Sequence, residues 1–154
     1  MLNVGQLRRL VVRPVLTHLA LWSTGAENLL LGTAIQESGL RLLRQRNDGP
    51  ARGIYQIDPA TDDDLHAGFL AERPALAAKV AALLAPLPSR AEQLATNLAY
   101  ATAMARIIYL RCPEPLPMAD DIAGMGRYWK RHFNGGRGAG SVPAFVLNYS
   151  EFVA

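Results

Sequence analysis

Residues 24–39 read TGAENLLLGTAIQESG and residues 53–61 read GIYQIDPAT, and the fold class turns on these two stretches. The first is a helix by its ends. Thr24 with Glu27 three positions later has the form of a capping box, the hydroxyl accepting from the Glu27 amide and the carboxylate reaching back to the Thr24 amide. Gly39 suits the left-handed C-terminal cap. On this helix the residues three, four and seven positions before Glu37 are Ala34, Thr33 and Leu30, so Glu37 shares a largely apolar stripe and points to the core side. It also lies in the last turn, where the carbonyl end of the helix opposes a negative charge, so burial and dipole both predict a raised pKa. Two fates fit such a residue: a general acid that keeps its proton near neutral pH, or a buried ion pair with Arg41, Arg44, Arg46 or Arg52.

The rest of the chain reads as helices around this one. Leu7, Leu10, Val11, Val15, Leu19 and Trp22 recur at helical spacing, with Pro14 marking a kink or restart. Residues 39–53 have no periodicity and form a loop or a small irregular lobe, and residues 53–57 are a candidate short strand. Asp58 caps a helix that starts at Pro59, with Asp62, Asp63 and Asp64 as its solvated acidic turn. An Ala/Leu-rich helix spans residues 73–85. Ser89 caps a long, small-residue helix over residues 90–111, expected to be the central buried one. Helices over 118–133 and 141–152 flank the glycine-rich turn 134–140. The reading is mainly α, with a short irregular or small β element near residues 40–57, in a single domain over residues 1–154.

Composition fits that reading. Of 154 residues, 50% are hydrophobic, enough for one packed domain. Cys112 is the sole cysteine, which rules out an intrachain disulfide and a cysteine metal site and leaves an inert, buried thiol. His18, His66 and His132 are too dispersed for a ligand set, so no metal or cofactor is expected. The net charge of +3 and pI near 9.4 suit an anionic surface. The basic residues, from Arg8 and Arg9 to Arg131 and Arg137, are nevertheless scattered without a recognition-helix or stacking pattern, which argues against nucleic acid. Arg13, Pro14 and His18 interrupt the N-terminal apolar stretch, so neither a signal peptide nor membrane insertion is expected.

Glu37-Ser38-Gly39, a loop, then Gly53-Ile54-Tyr55-Gln56-Ile57-Asp58-Pro59-Ala60-Thr61 resembles the signature of soluble lytic transglycosylases of the lysozyme-like superfamily. There a helix-ending Glu-Ser precedes a Gly-x-x-Gln segment and a Pro-Ala-Thr helix start. The segment from Asn97 to Tyr100 is similar, more loosely, to a third motif of that family. The resemblance implies a lysozyme-like α-helical fold that cleaves peptidoglycan glycan strands, with Glu37 as the catalytic acid and Gln56 binding sugar. Ser38 is then a substrate-side neighbour, and Tyr55 and Ile57 line the cleft floor. The family's tyrosine that contacts the glutamate sits in an Ala-x-Tyr-Asn-Ala-Gly segment that is absent here. Tyr128 and Tyr100 are candidates for it, or half-buried core aromatics.

A hydrolytic muramidase usually uses a second carboxylate. Asp48 is the nearest, although Asn47-Asp48-Gly49 is also an ordinary turn. The resemblance therefore implies a single-glutamate lyase reaction giving 1,6-anhydro products. The alternatives are a Glu37/Asp48 hydrolase and a catalytically weak lysozyme-fold protein that binds the wall. A leaderless, basic wall enzyme fits a bacteriophage origin: made in the cytoplasm, it acts on the wall as an endolysin after release, or as a virion component. Oligomeric state has no signal in the sequence.

Overall fold

The computed structural model describes residues 1–136 and 138–153; Arg137 and Ala154 lie outside the described residues. The fold is mainly helical: α1 (Val4–Leu7), a π-turn (Arg8–Val12), α2 (Arg13–His18), α3 (Thr24–Ser38), α4 (Pro59–Ala67), α5 (Pro74–Ala81), α6 (Arg90–Thr96), α7 (Leu98–Leu110), α8 (Ile122–His132) and α9 (Val142–Phe152). Among the described residues no helix is long and apolar enough to cross a membrane.

Two helices are buried nearly all round. In α7 every residue from Tyr100 to Tyr109 is buried, and α2, α3, α4, α5 and α6 pack on it. In α3 the buried run extends from Ala26 to Ile35, interrupted only at Asn28. On the far side of α3, α8 and α9 form a pair. Close approach there depends on Gly32: a Cβ at that position would lie 2.6 Å from the Phe145 ring and 3.1 Å from Tyr149.

Capping chemistry sets most boundaries. Asp58 accepts from the Ala60 amide and Ser89 from the Glu92 amide. Ser141 accepts from Ala144, and Gly39 ends α3 at φ 59°. The predicted long helix of residues 90–111 instead breaks at Asn97. This residue is extended, its side chain accepts from the Tyr100 amide, and its amide nitrogen donates to Leu83 O and Gln93 Oε1.

Three sequence expectations change at the N-terminal half. The cap of α3 is Ser23, whose hydroxyl accepts from Ala26, so Thr24 and Glu27 form no capping box. The π-turn adds a residue to the first helix just before Pro14, where the ring has no N–H to give. It brings Val12 and Leu16 inward, leaving Leu10 68% exposed and Trp22 49% exposed. The expected β element is reduced to isolated bridges, Arg44 with Arg52 and Arg52 with Ile57, because Gln56 at φ 50° turns the chain instead of extending it.

Glu27 is the residue the broken capping box releases. Its carboxylate, 1% exposed, accepts from Arg8 Nη1 at 2.7 Å, Arg13 Nη2 at 2.8 Å and Trp22 Nε1 at 2.8 Å, tying the first helix to α3. Burial opposes its charge, but the hydrogen bonds from Arg13, Arg8 and Trp22 outweigh burial and hold its pKa at about 2. Removing one partner of a buried pair costs about 3 kcal/mol or more. Glu27→Gln is therefore expected to lower stability by about 3 kcal/mol at pH 7 in urea denaturation. Because the folded pKa is depressed, the wild-type advantage should be complete above about pH 4.5 and fade as pH falls toward 2. Equal stability of the two proteins at pH 7 would refute the linkage.

Candidate active site

The last turn of α3 delivers Glu37 to a cleft of about 460 Å³. One wall is the irregular segment after α3, with Gln45, Arg46 and Gln56; the other is α8 and the turn after it, with Trp129, Phe133 and Asn134. A second cavity of about 500 Å³ opens on the other side of the same carboxylate, and Gln36, Glu37, Leu42 and Arg46 line both.

Glu37 is held by one hydrogen bond. Trp129 Nε1 donates to its Oε1 at 2.8 Å, joining residues 92 positions apart. Burial pushes the Glu37 carboxyl up to about 7, while the Trp129 hydrogen bond and the Lys130 ammonium pull in the other direction. The carbonyl end of α3 adds to the upward push. None of the described arginines pairs with it. Arg44 reaches Glu92 at 3.4 Å and Arg52 lies 3.8 Å from the same carboxylate, so the ion-pair fate is not the one adopted. At neutral pH this is a carboxyl with a proton to give.

The wall opposite is fixed from below. Lys130 Nζ donates to Asn134 Oδ1, Gly138 O and Gly140 O, each at 2.9 Å, drawing the glycine-rich turn against the cleft. Gly140, at φ 94°, has no room for a side chain: a Cβ would lie 2.7 Å from Gln36 Nε2 and 2.9 Å from Trp129. Gln36 is oriented from behind by Asn148, whose Nδ2 donates to its Oε1 at 2.7 Å.

The residues picked from sequence divide sharply. Glu37 and Gln56 line the same cleft. The Gln56 amide nitrogen donates to Gly53 O at 2.9 Å, which fixes its plane. Ser38 is buried; its hydroxyl donates to Ala34 O and accepts from the Leu40 amide, a helix-ending role. Tyr55 and Ile57 are core residues and not a cleft floor, because the turn at Gln56 swings both inward, and the Tyr55 hydroxyl meets Thr102 at 3.1 Å. Tyr100 is buried in the first turn of α7, where it donates to Asp62 Oδ1 at 2.6 Å and lines neither cavity. That contact also corrects the reading of Asp62, which is buried beneath Arg90 while Asp63 and Asp64 face solvent. The Tyr128 hydroxyl donates to Glu114 O and turns away from Glu37. Asp48 is an exposed turn residue at φ 56° and lines neither cavity. Cys112 is only partly buried, with burial raising its thiol pKa.

Sequence reading missed Trp129, Lys130, Gln36 and Asn148. An aromatic face on the 118–133 helix was visible, but which of two adjacent aromatics faces Glu37 depends on the rotation of α8 against α3.

A carboxyl with its pKa raised from 4.5 to about 7 destabilises the fold once it must ionise. Between those values the folded state holds a proton that the unfolded chain has lost, so stability falls as pH rises. Glu37→Gln is expected to leave stability unchanged at pH 4 and raise it by about 3 kcal/mol at pH 8, measured by urea denaturation. No gain at pH 8 would contradict the burial of this carboxyl.

No family model matches the chain, and neither does any curated protein or solved structure. What the site does is therefore argued from its own chemistry.

Proposed function

We propose that this protein is a lytic transglycosylase that cleaves the β-1,4 bond between N-acetylmuramic acid and N-acetylglucosamine in peptidoglycan, with Glu37 as its catalytic residue. The observation that carries the reading is a carboxyl, raised to a pKa of about 7, that lines an open cleft in which no second acid is found among the described lining residues. Such a group donates a proton to a leaving oxygen at neutral pH. The resemblance of the Glu37-Ser38 and Gly53 to Thr61 segments to the transglycosylase signature points the same way.

The reaction is the one the resemblance implies for a single carboxyl. Glu37 protonates the glycosidic oxygen as the C1–O bond breaks, and the neighbouring acetamido oxygen stabilises C1. The glutamate left behind then takes the proton from the same sugar's 6-hydroxyl, whose oxygen bonds to C1 and closes a 1,6-anhydro ring. No water is consumed and Glu37 regains its proton. Trp129 holds the carboxyl in one orientation through both steps and keeps its pKa from rising further. Gln56 and Gln36 offer amide groups to sugar hydroxyl or acetamido oxygens on either side. A Glu37/Asp48 hydrolase is disfavoured by the exposed position of Asp48 outside the cleft. On this reading the protein meets the wall after release from the cytoplasm or as part of a phage particle.

Purified peptidoglycan digested with the protein is expected to yield muropeptides lighter by one water than reducing ends, read by mass spectrometry. Glu37→Gln should lower the rate by at least about 10³-fold while the protein stays folded, and Asp48→Asn should retain full activity. Reducing-end products lost with Asp48→Asn would identify a hydrolase. Intact wall after incubation with folded wild-type protein would overturn cleavage altogether.

A further inference from the structure

The second cavity beside Glu37 has a chemistry of its own. Ile35, Leu42 and Phe152 give its lining apolar surface beside the polar Gln36, Ser38 and Asn148, and two arginines, Arg41 and Arg46, line it as well. Both side chains are exposed, and neither makes an ion pair or side-chain hydrogen bond with any described residue. Arg9, Arg111 and Arg127 are likewise exposed without an ion pair to a described residue, but none of them lines this cavity or the cleft beside it, so Arg41 and Arg46 are set apart by their place next to Glu37. Among the described residues Glu37 is the only carboxyl lining this cavity, and it is uncharged up to about neutral pH. Two guanidiniums without a partner among the described residues, beside apolar side chains, match a carboxylate borne on a short alkyl group, because a guanidinium fork donates to a carboxylate bidentately.

We propose that Arg41 and Arg46 form an anion subsite next to the cleavage point, which binds the carboxylate-bearing substituent of a muramyl residue. The inference rests on the glycan-cleaving reading above and extends it to substrate selection: a neutral chain of N-acetylglucosamine fills the sugar cleft but leaves the two arginines without a partner. The carboxylate has two sources. In glycan stripped of peptide it is the lactyl group itself, a carboxylate beside a methyl; in stemmed glycan the lactyl group is amidated and the charge comes from the peptide. Arg46 lines both cavities, so a substituent that passes from the sugar cleft into the second cavity meets it. Both arginines lie close in sequence to Glu37, in the irregular segment that also forms one wall of the sugar cleft.

The test measures binding to three soluble glycans: an N-acetylglucosamine oligomer, peptide-stripped peptidoglycan strands and stemmed strands. Glu37→Gln serves as the parent so that nothing is cleaved, and Arg41→Met/Arg46→Met is added to it. The parent is expected to bind at least one anionic glycan about tenfold more tightly than the neutral oligomer, with affinity falling as salt is raised. The added double substitution should remove that preference and its salt dependence, and Arg41→Met alone, at a residue outside the sugar cleft, should narrow the preference while leaving the neutral oligomer unaffected. Loss with stripped strands assigns the lactyl carboxylate, and loss with stemmed strands alone assigns the peptide. Equal affinity of the parent and the double variant for both anionic glycans overturns the subsite and leaves glycan binding standing. No binding of any of the three overturns both readings. A circular dichroism melt of the double variant, expected to match its parent, separates lost recognition from lost fold.

Discussion

A buried carboxylate must either be paired with a cation or give up its charge, and α3 carries one of each kind. Glu27, near its start, receives two guanidiniums and an indole N–H and stays ionised down to about pH 2. Glu37, ten residues later, receives a single indole N–H and is held near 7. The same helix, of nearly uniform burial, therefore produces a structural anion at one end and a proton donor at the other. The difference lies in what faces each residue, not in the glutamates or in the helix itself.

The surrounding architecture is explained by that asymmetry. The first helix must approach α3 closely enough for Arg8 and Arg13 to share one carboxylate, and the π-turn before Pro14 provides the rotation that seats Val12 and Leu16 against the core at the same time. At the other end, α8 must present an indole edge to Glu37; α9 packs against α3 at Gly32, where a larger residue would collide with Phe145, and α8 approaches α9 closely at Gly126, where a Cβ would lie 3.1 Å from Val142. Lys130 then uses its charge on loop carbonyls, which shapes the cleft wall while its ammonium tempers the pKa of the acid. A site whose key group is unfavourable to ionise trades stability for readiness, as functional carboxyls commonly do.

Short-range features were legible in the sequence. Asp58, Ser89 and Gly39 end or begin helices through bonds to residues two to four positions away, and such bonds need no knowledge of tertiary structure. Glu37 was legible for the same reason, since its apolar stripe and terminal position are local. Long-range pairings were not. Glu27 was taken for a capping residue because Thr24 stands three positions earlier, yet its partners approach from a different helix. Tyr100 and Tyr128 were reasonable supports for Glu37, and both failed because the tilt of α7 and the rotation of α8 decide which ring meets the carboxyl. Trp129, next to one of them, is the residue that does.

The carboxyl of Glu37 should titrate far from an ordinary glutamate, and carbon-13 NMR of its side-chain carboxyl across pH 3 to 10 measures this directly. A midpoint near 7, moving higher in Trp129→Phe, is the expected result, since the indole hydrogen bond favours the charged form. A midpoint near 4.5, unchanged by Trp129→Phe, would show a solvated carboxylate and contradict the assignment of Glu37 as a proton donor.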